Sequence, residues 1–167
     1  MTSRFLRKHR YEIQLGVYAT QEDVRKLAER CVQLLDGRPW PYRLSVAGQD
    51  QTTEPGGMPL TEFYDELPEQ WRIEHPGADP GSREIHEIRV GLPVSRQQMD
   101  RLREELARVA CPDPEHRSPC PIPWSTGYTE TGDADDGDAG DGDEGNGGED
   151  NGDGGRYLEQ RYGQLRR

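Results

Sequence analysis

A chain of 167 residues suffices for one ordinary domain, but with 31% hydrophobic and 32% charged residues it is too polar to bury all of itself. The formal net charge of −11 is concentrated in residues 130–155, which carry eleven acids and no base and leave the rest of the chain near neutrality. No apolar run approaches the ~20 residues that cross a membrane, the start lacks the apolar core of a signal peptide, and an odd three cysteines suit a reducing compartment better than a disulfide framework, so a cytoplasmic location is expected.

Residues 1–10 are a basic arm, with Arg4, Arg7, Lys8 and Arg10 and no acid. From Glu12 to Val17 polar and apolar residues alternate, which predicts a half-buried strand with Ile13, Leu15 and Val17 inward and Glu12, Gln14 and Gly16 outward. Thr20 stands where a helix needs an N-cap, and Asp23 three residues on is able to reach back to it. The helix that follows gathers Val24, Leu27, Cys31, Leu34 and Leu35 on one stripe. A second strand is expected from about Tyr42 to Ala47, where the prolines favour a sheet edge. Residues 48–84 then make a long connection whose Phe63, Tyr64, Leu67, Trp71 and Ile73 predict a short helix or turn packed onto the domain.

Next the chain repeats itself. Written over His86–Ala110, the segment Tyr11–Leu35 aligns without a gap: Glu12 to Val17 fall on Glu87 to Leu92, Thr20 on Ser95, Val24 on Met99 and Leu27 on Leu102. Beyond the helix, Pro39-Trp40-Pro41-Tyr42 matches Pro121-Ile122-Pro123-Trp124 once seven extra residues are allowed, so a last strand is expected from about Pro123 to Tyr128. Two strand-helix-strand units predict an α+β domain over residues 11–129, connected βαββαβ by right-handed crossovers. Its four-stranded antiparallel sheet carries two helices on one face. This pattern resembles the ferredoxin-like plait, and the resemblance implies a fold without implying an activity, because that fold hosts many.

The seven extra residues fall in the loop from Cys111 to Cys120. Two thiols and an imidazole are good zinc ligands, so Cys111, His116 and Cys120 are candidate metal residues, with a fourth ligand from His75, His86 or a carboxylate elsewhere. The C-x2-C spacing that marks zinc sites is absent, a loop-closing disulfide is a second reading, and plain loop thiols are the default. Apart from zinc no cofactor is indicated. His86 aligns with Tyr11 at an inward strand position and is expected to be satisfied by a backbone carbonyl, whereas His75, in a Glu-His-Pro-Gly turn, is expected in solvent. Gly16 and Gly91, at matching places inside strands, predict a bulge or a close backbone approach. No nucleophile elbow, phosphate-cradling loop, His-Glu-x-x-His or paired acids marks an enzyme.

The outward face, with Glu12, Gln14, Gly16, Glu87, Arg89 and Gly91, lacks the aromatics on which an RNA-binding plait stacks bases. Residues 130–155 cannot bury enough surface to offset their chain entropy and predict a disordered linker, whose aspartates do not follow EF-hand spacing. In residues 156–167, Leu158, Tyr162 and Leu165 recur at helical spacing with Tyr157 beside them and Arg161 between, which predicts a partner-binding segment. The function expected from these features is a non-enzymatic protein-interaction module or accessory, regulatory subunit, homodimerisation included. A nucleic-acid-associated regulatory protein and a metal-binding protein built on the cysteine loop are the alternatives.

Overall fold

Period-two alternation becomes a strand at each place where the sequence shows it. The structure, a computed structural model, describes residues 9–53, 56–113 and 115–130. Its elements in chain order are β1 (His9–Ala19), α1 (Gln21–Asp36), β2 (Arg43–Ala47), α2 (Leu60–Phe63), α3 (Glu66–Glu74), β3 (Glu84–Val94), α4 (Arg96–Ala110) and β4 (Trp124–Glu130). The four strands form one antiparallel sheet in the order β2-β3-β1-β4, an α+β arrangement with the short proline-flanked strands at the two edges. The strands overrun the alternating cores of the sequence: β1 begins at His9 and β4 continues to Glu130, because each extra residue gains a ladder partner on its neighbour. Both long helices start on a side chain. Thr20 Oγ1 accepts the Asp23 N–H at 3.2 Å, and Ser95 with Gln98 makes a reciprocal capping box at 3.2 and 2.9 Å. Caps of this kind stabilise a helix by about 1 kcal/mol each.

On one face Ile13, Leu15 and Val17 of β1 and Ile88, Val90 and Leu92 of β3 lie beneath α1 and α4, which contribute Val24, Leu27, Cys31 and Leu35, and Met99, Leu102, Leu106 and Ala110. Burying each large apolar side chain of this set contributes roughly 1.5–3 kcal/mol. Cys31, wholly enclosed, has its thiol pushed up to about 11 by burial, so at neutral pH it behaves as a small apolar group.

The other face is not the open surface that alternation predicts. The connection folds over it as α2 and α3, and Leu60, Tyr64, Leu67 and Trp71 form a second apolar cluster with Tyr18, Ala47 and Ile85. The sheet is therefore the middle of three layers at this end, with the connection added opposite the face that α1 and α4 cover. Of the connection's apolar residues, Met58, Phe63 and Ile73 remain exposed. His75 is half-buried and not free in solvent: its ring stacks on Trp71 at 4.7 Å and its Nδ1 lies 3.0 Å from the Trp71 carbonyl. The reason is local, since α3 ends at Glu74 and the next ring folds back over its last turn. Arg83 covers the same indole, 4.7 Å from its centroid. Most of the basic arm, the acidic linker and the segment holding Tyr157, Leu158, Arg161, Tyr162 and Leu165 lie outside the described residues. Among the described residues no helix is long and apolar enough to cross a membrane.

Candidate functional site

Three places gather chemistry. The first is the loop between α4 and β4. Cys111 follows the last turn of α4, Cys120 returns the chain towards β4, and their Cα atoms stand 5.3 Å apart in a disulfide, within the range such bonds need. This corrects the default expectation of plain loop thiols. Asp113 organises the turn between them, its carboxylate accepting the N–H groups of Glu115 at 3.0 Å and Arg117 at 2.9 Å. His116 adopts φ 49°, a left-handed conformation that a non-glycine residue keeps only when its surroundings hold it there. The ring that results sits with Nδ1 3.6 Å from Cys111 Sγ and 3.2 Å from Cys120 Sγ. Thus the three residues singled out by sequence are brought together, with both sulfurs buried and the imidazole exposed. His116, Cys120 and Trp124 also line a cavity of about 480 Å³, whose far wall carries Gln70 and Glu74 of α3.

The second place is the sheet face under the connection. Glu12, Glu87 and Arg89 are buried there. Arg89 Nε donates to Glu87 Oε1 at 2.5 Å, Tyr64 Oη donates to Glu87 Oε2 at 2.6 Å, and Arg89 Nη2 reaches the Thr52 carbonyl at 2.7 Å. Gln14 Nε2 donates to Thr129 Oγ1 at 2.8 Å and Glu12 Oε1 at 3.3 Å. Burial, with the neighbouring Glu87 carboxylate, holds the Tyr64 hydroxyl well above its ordinary value, so it remains a donor. Gly16 explains how the ring gets so close: a Cβ there would lie 2.6 Å from Tyr64 Cδ1 and nearer still to two other ring carbons. The close approach expected of this glycine is real, and what approaches is an aromatic ring instead of backbone. A smaller cavity of about 290 Å³, walled by Gln14, Phe63, Tyr64, Glu87 and Thr129, opens beside this network.

The chain matches no protein-family model, no curated protein and no solved structure. Its chemistry is therefore read from geometry alone.

The third place is an apolar groove of about 740 Å³ between α1 and the edge strand β2, with Val24, Ala28, Val32 and Val46 on its walls and His86 at its base. Val46 is 44% exposed. Contrary to the expectation of a backbone carbonyl partner, His86 Nε2 is buried with no hydrogen-bond partner among the described residues. Burial holds the imidazole below its ordinary 6.5, against the opposing pull of the Glu84 carboxylate. Sequence reasoning placed His86 inward and stopped there. The available signal was the apolar stripe of α1, which Val32 widens beyond what the core uses.

Proposed function

We propose that this chain is a non-enzymatic protein-interaction module that takes an extended segment of a partner protein along the β2 edge and seats one apolar side chain of it in the α1–β2 groove. The observation that carries the reading is the groove itself, apolar walls beside an edge strand with the unpartnered His86 Nε2 at its base. Edge strands are ready templates for pairing with another chain, and strand addition draws affinity from main-chain bonds and specificity from such pockets. A second copy of this chain is one candidate partner, and a cytoplasmic location belongs to the same reading. Residues 156–167 supply a further contact in it, with the acidic linker as tether.

We also propose that the domain is a ferredoxin-like plait made by duplication, because the strand registers agree with the sequence repeat. Gln14 pairs with Arg89, its own counterpart in the other copy, and the flanking pairs Ile13–Val90 and Leu15–Ile88 are related by a half-turn about that point. The edges follow: allowing the seven extra residues of the second copy, the pairing of Arg43 with Gly91 maps onto that of Ser125 with Gly16. Departures from this internal dyad, the cysteine loop and the connection, are where a special role is sought.

The test uses the full chain as bait in extracts of its own cells, beside a Val32→Lys/Val46→Lys variant and a truncation after Gly155. Both variants are expected to keep the thermal transition. The groove variant loses the principal partner, and the truncation weakens its retention. Equal recovery of that partner by the groove variant refutes the reading.

A further inference from the structure

We propose that the Cys111–Cys120 loop is a redox-gated zinc site, closed as a disulfide in one state and, as a dithiol, holding one Zn²⁺ through Cys111 Sγ, Cys120 Sγ, His116 Nδ1 and the Glu74 carboxylate. The first three ligand atoms already converge, all lying within 4.8 Å of one another. Zinc bonds of ~2.3 Å to thiolate and ~2.0–2.1 Å to imidazole place those ligands about 3.6 Å apart at the tetrahedral angle. Of the spacings from His116 Nδ1 to the two sulfurs, 3.6 Å to Cys111 meets that requirement and 3.2 Å to Cys120 falls short of it by an amount that side-chain rotation on reduction can supply.

A structural zinc site needs a fourth ligand, and the nearest element to supply one is α3, whose Glu74 stands outside the three-atom cluster and closes on it when the metal binds. Glu74 faces the cavity that His116 and Cys120 line. One of its oxygens accepts a hydrogen bond from Gln70 Nε2 at 3.0 Å, while the other, Oε2, is buried with no partner among the described residues. A carboxylate oxygen left unsatisfied out of water is costly, and a nearby cation removes that cost. Gln70 in turn orients the carboxylate, as the outer partners of metal ligands do. The Asp113 turn holds His116 in place from the far side. Trp124, whose ring lies 6.4 Å from that of His116, forms a hydrophobic wall.

The two states exclude each other chemically. A small dithiol reductant delivers two electrons and two protons to the Cys111–Cys120 bond and leaves as its own cyclic disulfide. The two thiols then lose their protons as Zn²⁺ binds. Reoxidation runs in reverse and releases the metal, so the loop joins α4 to β4 through a covalent bond or through a metal, according to the redox poise of the compartment.

Cobalt is the informative probe, since its spectrum distinguishes thiolate coordination and tetrahedral geometry. The full chain, freed of metal and reduced with a phosphine, is titrated with Co²⁺ and then with Zn²⁺. The expected result is one equivalent of tetrahedral Co²⁺ with sulfur charge-transfer bands, displaced by Zn²⁺, and no binding by the oxidised protein. Cys111→Ser/Cys120→Ser abolishes the bands. Glu74→Gln keeps them but weakens Zn²⁺ binding about 10-fold or more. Each variant is checked for an intact unfolding transition. Failure of the reduced protein to bind one equivalent, or undiminished binding by the double serine variant, overturns the site. An unchanged zinc affinity in Glu74→Gln overturns the four-ligand assignment.

Discussion

Placing a methyl group at residue 16 is a severe test of the three-layer arrangement. In Gly16→Ala the new Cβ would overlap the ring of Tyr64, a side chain that is 2% exposed and tied through its hydroxyl to Glu87. To clear the methyl group the ring must leave its place over Gly16 and strain or break its hydrogen bond to Glu87. Overpacking of this kind costs about 1–3 kcal/mol, and losing a hydrogen bond to a buried carboxylate adds about 1.5–3 kcal/mol. Replacing glycine by alanine inside a strand returns roughly 0.5–1 kcal/mol. The net destabilisation is thus about 1.5–5.5 kcal/mol, a large part of the 5–15 kcal/mol or so that holds a domain together. In urea, where the slope is about 1–3 kcal/mol per molar, the midpoint should fall by roughly 0.5 M or more. Gly127→Ala is the control, since a Cβ there meets only Gln14 Oε1 at 3.7 Å. Tyr64→Phe separates the hydroxyl's share from the ring's. A Gly16→Ala protein that unfolds at or above the wild-type midpoint would refute the docking of the connection on this face.

Two further outcomes follow from the core and from the groove. Leu15→Asp and Val90→Asp should each unfold the domain, because both residues sit under the helices and an unpaired carboxylate there costs several kcal/mol; circular dichroism during a thermal scan reads the loss, and a retained transition contradicts the pairing of the two copies. For His86 the folded-state value is depressed below 6.5. Its contribution to stability is therefore present above pH 6.5 and lost as the pH falls through the folded value, where the unfolded chain binds the proton more readily. The urea midpoint should decline on acidification below about pH 6.5, and His86→Leu should flatten that decline; an identical pH dependence in both proteins would show that Nε2 is not isolated as described.

Much of the sheet and both long helices were legible because their signals are local. Alternation in Ile13, Leu15 and Val17, helical spacing in Val24, Leu27 and Cys31, and the caps at Thr20 and Ser95 each act within a few residues. What escaped sequence reasoning depends on distant chain. Glu12, Glu87 and Arg89 read as a solvated face because their polarity is visible, while the cover over them comes from a connection whose docking no periodicity encodes. The cysteine loop was recognisable by composition, yet whether its thiols stay apart is decided by how α4 ends and β4 begins. Gly16 announced a close approach, and only the folded chain supplies the identity of the ring.

The order of strands also bears on how the molecule is made. β1, the first of the described strands, is an inner strand, and both its neighbours come late: the Tyr11 hydroxyl bonds to Glu130, 119 residues further on. At the ribosome's pace of about 5–20 residues per second, that interval lasts roughly 6–24 s. Meanwhile the first strand-helix-strand unit has no sheet of its own, because β2 pairs with β3 and not with β1. Ile13, Leu15 and Val17 then have only α1 to cover them, and an exposed apolar strand edge is open to wrong partners. The two halves interlock through the β1–β3 ladder, so among the described residues neither half has a complete sheet until β4 has been made.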